Sequence, residues 1–141
     1  CVSLAKEVVR DGEGASKLFE VTIQGALNDE EARMAARTVA GSSLVKTAVY
    51  GSDPNWGRIV SAAGYSGVTF DPARLDLYMN DTLIYRQGAP TDFDAAQLSA
   101  SIRTNRETSI VLQFHEGSEG IRFWTSDLTT DYIKLNADYH T

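Results

Sequence analysis

The chain has 141 residues, 43% of them hydrophobic and 23% charged, with a formal net charge of −6. That length and balance suit one domain built on one core, and the acidic excess excludes the basic patch that a nucleic-acid surface needs. No run of about 20 apolar residues and no signal-peptide layout occurs, so neither a helical membrane span nor a secretory leader is read in it.

A single cysteine, Cys1, excludes an internal disulfide framework, and two histidines leave little for a metal site. Cys1, Leu4, Ala5, Val8 and Val9 follow the spacing of an amphipathic helix. A thiol in that pattern reads as a small core hydrophobe rather than an amino-terminal nucleophile. With no capping residue before it, this helix predicts a chain that begins at a break in a longer protein.

Two glycines in Arg10-Asp11-Gly12-Glu13-Gly14-Ala15-Ser16-Lys17 mark a turn. Phe19, Val21 and Ile23 then alternate with Glu20, Thr22 and Gln24, the period of a half-buried strand. Asn28 with Glu31 forms a capping-box pair that opens a helix, whose stripe of Ala32, Ala35, Ala36 and Val39 ends at Gly41. Leu44 to Tyr50 reads as a short buried strand. After the Gly51–Asn55 turn, a helix is expected over Trp56 to Tyr65. Leu75, Leu77 and Met79 predict a strand, Thr82 to Arg86 a second, with Asn80-Asp81 as the hairpin turn between them. Thr91 or Asp92 is expected to cap a helix carrying Ala95, Leu98 and Ile102. Strands around Ser109 to His115 and Ile121 to Ser126 follow, and a final helical turn or two is expected from Thr129 or Thr130 to Leu135. Intermixed helices, strands and hairpins, with no internal boundary, predict a single layered α/β domain (mixed α+β) with a mixed sheet over residues 1–141.

Several stretches invite chemistry and have a structural reading beside it. The Gly-rich loop at 11–17 has neither the spacing of a phosphate-binding loop nor a helix after it, and its two carboxylates would repel phosphate. Its glycines can instead aim Glu13 into a cleft, and a solvated Glu in a turn is the plain alternative. In Asp53-Pro54-Asn55-Trp56-Gly57-Arg58, Pro54 starts a turn and Trp56 anchors a helix. Arg58 there could pair with Asp53 or hold a ligand carboxylate. His115 and His140 lack a third ligand at metal-binding spacing, and no Gly-x-Ser-x-Gly elbow occurs. Asn136, Asp138, Tyr139 and Thr141 form a polar tail of the kind that usually frays.

Taken together, Val9 to Lys17, then Val45-Lys46-Thr47-Ala48 running into Asp53-Pro54-Asn55-Trp56-Gly57-Arg58-Ile59, then Asn136-Ala137-Asp138-Tyr139-His140-Thr141, resemble the ornithine acetyltransferase (glutamate N-acetyltransferase) family. The resemblance runs the length of the chain and places it in the carboxy-terminal portion of that family's β chain, with the DmpA/ArgJ-like fold. It implies a precursor that cleaves itself before a threonine, which then carries acetyl from N-acetylornithine to glutamate. No cofactor is implied, acetyl-CoA being an additional acetyl donor in bifunctional members. By motif match, Glu13, Asn136 and Thr141 are the substrate-binding residues. Arg10, Asp53 and Arg58 are read as architectural. Ser16 stands where the family usually has Thr, which keeps the hydroxyl. The nucleophilic threonine and the oxyanion groups are expected outside this chain, so no catalytic residue is assigned within it. The expected partners are the α chain and the rest of the β chain, in a cytoplasmic heterotetramer of two α and two β chains, without nucleic acid or membrane. Two other readings stay open: a related amidase or peptidase on the same scaffold, and a non-catalytic assembly module.

Overall fold

The computed structural model describes residues 18–126 and 133–135. The helix expected at the start, the loop at 11–17, Cys1 and the tail from Asn136 lie outside the described residues. Among the described residues there are seven strands in one sheet and four α-helices, in keeping with the mixed class expected. The strands are β1 (Leu18–Ala26), β2 (Asp76–Met79), β3 (Thr82–Arg86), β4 (Ala89–Pro90), β5 (Glu107–Gln113), β6 (Glu119–Ser126) and β7 (Ile133–Leu135). Their spatial order is β4-β3-β2-β5-β1-β6-β7, with β1 parallel to β5 and every other pair antiparallel.

Helix α1 (Asp29–Gly41) starts as the capping pattern requires, with the Asn28 side chain accepting from the Glu31 backbone N–H at 2.8 Å. Asp29 and Arg33 add a charge-assisted pair at 2.8 Å one turn apart. Its small buried face, Ala32, Ala35, Ala36 and Val39, lets the helix lie close over β1 and β6.

The stretch read as a buried strand at Leu44–Tyr50 is instead α2 (Ser43–Tyr50). Ser42 caps it by accepting from the Val45 N–H at 3.2 Å, and the buried residues Val45 and Val49 recur at helical spacing. The apolar run alone does not separate the two conformations, and the cap decides it. Helix α3 (Trp56–Gly64) follows as expected. Helix α4 (Ala95–Thr104) is capped by Asp94, not Thr91 or Asp92. Thr91 is occupied elsewhere, its hydroxyl donating to Leu83 O at 2.6 Å. The final helical turn expected from Thr129 or Thr130 to Leu135 is corrected over Ile133–Leu135, where β7 pairs with β6 and Leu135 lies opposite Phe123, and its earlier part lies outside the described residues.

One face of the sheet meets all four helices. Phe19, Val21 and Ile23 of β1, Ile110 and Leu112 of β5, and Ile121 and Phe123 of β6 form one core with Val39, Val49, Ile59, Leu98 and Ile102. The Asn80-Asp81 turn is the expected hairpin, both residues having positive φ (49° and 67°). At the far end of β1 a bulge between Ile23 and Ala26 uses Gly25 at φ +70°. A Cβ at Gly25 would fall 2.8 Å from the His115 backbone nitrogen, so a side chain there meets both strain and a clash.

Two threonines on the core face flank Phe19 in register, Thr108 on β5 and Thr125 on β6. Both are buried, and neither hydroxyl has a hydrogen-bond partner among the described residues. Val keeps the β-branched shape without the orphaned hydroxyl, so Thr125→Val is expected to leave stability unchanged or raise it by about 1 kcal/mol. A drop of the urea midpoint in that variant would show that the hydroxyl has a partner after all.

Candidate functional site

The opposite face of the sheet carries the other half of each alternation. Glu20, Thr22 and Gln24 on β1 stand beside Ser109, Val111 and Gln113 on β5, with Gly120 and Arg122 on β6. A trough of about 410 Å³ runs along this face, lined by Glu20, Thr22, Gln24, Val111, Gly120 and Arg122. Arg122 and Glu20 face each other across it at 3.8 Å, and the Arg122 guanidinium lies 5.8 Å from the ring centre of buried Trp124. Among the described residues no helix lies on this face, which carries polar and charged side chains around the buried Trp124, while the helical face is apolar.

Glu13, Asn136 and Thr141 lie outside the described residues. The strands that border them are close together. β1 begins at Leu18, shortly after Glu13, and β7 ends at Leu135, directly before Asn136, with only β6 between the two strands.

The motif Asp53 to Arg58 is an architectural joint. Asn55 caps α3 by accepting from the Arg58 N–H at 3.0 Å and donates its own amide to Asp53 at 3.1 Å. Arg58 does not pair with Asp53; its guanidinium donates to the Leu44 carbonyl at 3.1 Å, fastening α3 to the first turn of α2. Trp56 stacks on Tyr85 with ring centres 5.6 Å apart. Ser99 on α4 donates to Ser52 O at 2.7 Å, tying the same loop to a third helix. Lys46, inside the Val45-Lys46-Thr47-Ala48 stretch, is buried.

A pairing that sequence reasoning missed lies at the other end of the sheet. His115 Nε2 is 3.0 Å from Asp76 Oδ2, and Arg86 approaches the second oxygen of Asp76 at 3.5 Å. Asp76 and His115 are 39 positions apart, and only the antiparallel register of β2 on β5 brings them together. Among the described residues no hydroxyl or thiol is bonded to His115, as a hydrolytic triad would require. Among the described residues there is also no group of three His, Cys, Asp or Glu placed to hold a metal ion, and no helix long and apolar enough to cross a membrane.

Among the described residues, one helical layer on a mixed sheet whose other face is largely polar defines a two-layer α/β scaffold. The ArgJ family model matches residues 1–141. The chain is 49% identical, over 99% of its length, to arginine biosynthesis bifunctional protein ArgJ of Symbiobacterium thermophilum and covers 35% of that protein. It is 48% identical over its whole length to the protein of the same name from Dehalococcoides mccartyi, again covering 35%. A crystal structure of arginine biosynthesis bifunctional protein ArgJ from Bacillus halodurans matches with a TM-score of 0.86 at 43% identity, over 94% of this chain and 62% of that one. The chain belongs to the ArgJ family. It spans about a third of the length of the relatives it matches.

Proposed function

We propose that the complete protein transfers acetyl from N2-acetylornithine to glutamate, and that this chain supplies part of the substrate-binding wall. The observation that carries the reading is the family match across all 141 residues, which include the three motif stretches that carry the resemblance. In the proposed cycle a threonine hydroxyl, outside this chain, attacks the acetyl carbonyl. The C–N bond breaks and ornithine leaves with a proton on its amine. The amine of glutamate then attacks the acyl-threonine ester, the C–O bond breaks, and the threonine oxygen regains its proton.

Glu13 suits an amino group of either amino-acid substrate, because a carboxylate and an ammonium form a charge-assisted hydrogen bond. Asn136 and Thr141 add carbonyl, amide and hydroxyl groups that hold polar substrates without further charge. The reading includes the carboxy-terminal place of this chain in the β chain, autocatalytic cleavage of a precursor, a heterotetramer of two α and two β chains, and a cytoplasmic setting. It needs no cofactor, and acetyl-CoA enters only as an alternative acetyl donor.

The test is an acetyl-transfer assay on the correctly processed full-length protein, beside a truncation that removes residues 136–141. Transfer is expected in the parent, and the truncation is expected to raise KM for N-acetylornithine at least about tenfold, as loss of several polar contacts implies. Unchanged KM and kcat would remove the tail from the site. A processed parent that released acetate without transferring acetyl would favour the hydrolase reading.

A further inference from the structure

The ridge of α1 turned away from the sheet carries Glu30, half-buried Met34, Arg37 and Gly41, opposite the buried Ala32, Ala35, Ala36 and Val39. Glu30 and Arg37 are exposed, and neither makes an ion pair among the described residues. Just before the helix, Leu27 is 62% exposed. Just after it, Leu44 at 59% and Tyr65 at 61% form the apolar walls of a groove of about 530 Å³, which Arg37 and Gly41 complete. Three of the four large hydrophobic side chains exposed among the described residues therefore stand at the two ends of one helix.

Arg37 is the only charged residue lining the groove, in a chain whose net charge is −6. The groove thus suits an apolar side chain followed by a carboxylate. Leu27-Asn28-Asp29-Glu30 has that chemistry: Asp29 is engaged by Arg33, while Leu27 and Glu30 are exposed. Within one copy they do not meet, because roughly 16 Å of helix separates Glu30 from Gly41. The ridge is, however, complementary to itself. A second α1 laid antiparallel across a two-fold axis near Met34 sets Glu30 against the second copy's Arg37, and Arg37 against its Glu30. The same register brings Leu27 to the second copy's Gly41, at the groove. A parallel alignment would oppose Glu30 to Glu30 and Arg37 to Arg37, which like charges disfavour.

We propose that this face pairs two copies of the chain, α1 antiparallel to α1, with Leu27 of each copy seated in the Arg37–Leu44–Tyr65 groove of the other. Exposed ion pairs contribute little by themselves, so Leu27 is the anchor, and the two Glu30–Arg37 pairs set direction and register. The pairing does not depend on acetyl transfer. An assembly of two α and two β chains that stayed whole in every variant below would keep that assembly and remove this face from it.

The test is sedimentation velocity on the full-length protein over a concentration series. Glu30→Arg and Arg37→Glu each place like charges at both rims, and each is expected to raise the dissociation constant of the pairing roughly tenfold or more. Leu27→Ser is expected to weaken it to a similar degree. The double variant Glu30→Arg/Arg37→Glu restores opposite charges only where both sides of the contact are the same face, and it is expected to return to within about threefold of the parent. Circular dichroism melts establish that each variant is folded, and Leu27→Ser, outside the helix, serves if a charge variant is not. A parent that does not self-associate, or association unchanged in all three single variants, would overturn the proposal. So would a double variant no better than the single ones, because the groove would then face a different partner, such as the rest of the protein.

Discussion

Replacing Glu13 by Gln in the full-length protein is expected to lower kcat/KM for transfer from N-acetylornithine to glutamate by roughly 10- to 150-fold. That range is the loss of one charge-assisted hydrogen bond, about 1.5–3 kcal/mol, converted to a rate ratio. Gln keeps the length and shape of the side chain, so the change isolates the charge. The expected signature is loss of transfer with an unshifted melting temperature, since a polar residue in a glycine-rich turn contributes little to a core. Unchanged kinetics would leave the family membership intact and take Glu13 out of the site. If the unaltered, processed parent also failed to transfer acetyl, the proposed activity itself would fall.

Phe19→Ala is expected to be the most damaging of the substitutions considered for the fold, costing about 3–5 kcal/mol. Phe19 is fully buried on β1, the strand that joins the two halves of the sheet through β5 on one side and β6 on the other. Its neighbours across both ladders are Thr108 and Thr125, too small to collapse into the space a phenyl ring leaves. Domains of this size are usually stable by 5–15 kcal/mol, so the loss removes a large share of the margin. A fall in melting temperature of roughly 10 °C or more is expected. A shift under about 2 °C would mean that the core around β1 repacks freely.

The elements that local chemistry specifies were readable from the residues alone. The alternation of Phe19, Val21 and Ile23, the Asn28 cap, and the Asn80-Asp81 turn each state their conformation within a few positions. Leu44 to Tyr50 misled because its apolar run suits either conformation and the deciding cap, Ser42, lies just before it. Ile133 to Leu135 misled for a different reason: three residues become a strand only because β6 offers them an edge, which is a property of the fold. The same distinction holds for the sites. The Asp76–His115 pair joins residues far apart in the chain, and nothing in their local spacing announces it. Asp53 to Arg58 was legible as architecture because each partner sits within the turn or on the adjacent helix. Glu13, Asn136 and Thr141 were proposed through family resemblance, since a Glu in a turn and a polar tail carry no signal of their own.

The position of β1 in the sheet also bears on how the protein is made. Gln24 pairs in parallel register with Gln113, 89 positions further on, and the antiparallel partner β6 comes later still. Such distant ladders close slowly, because the chain between them must be ordered before any pairing rewards it. At ribosomal rates of about 5–20 residues per second, both edges of β1 stay open for roughly 5 to 20 seconds after the strand emerges. Helix α1 is synthesised directly after β1 and packs on it, so it can shelter Phe19, Val21 and Ile23 during that interval. Among the described residues nothing close in sequence pairs with its hydrogen-bonding edges, which are satisfied only once β5 and β6 have been made.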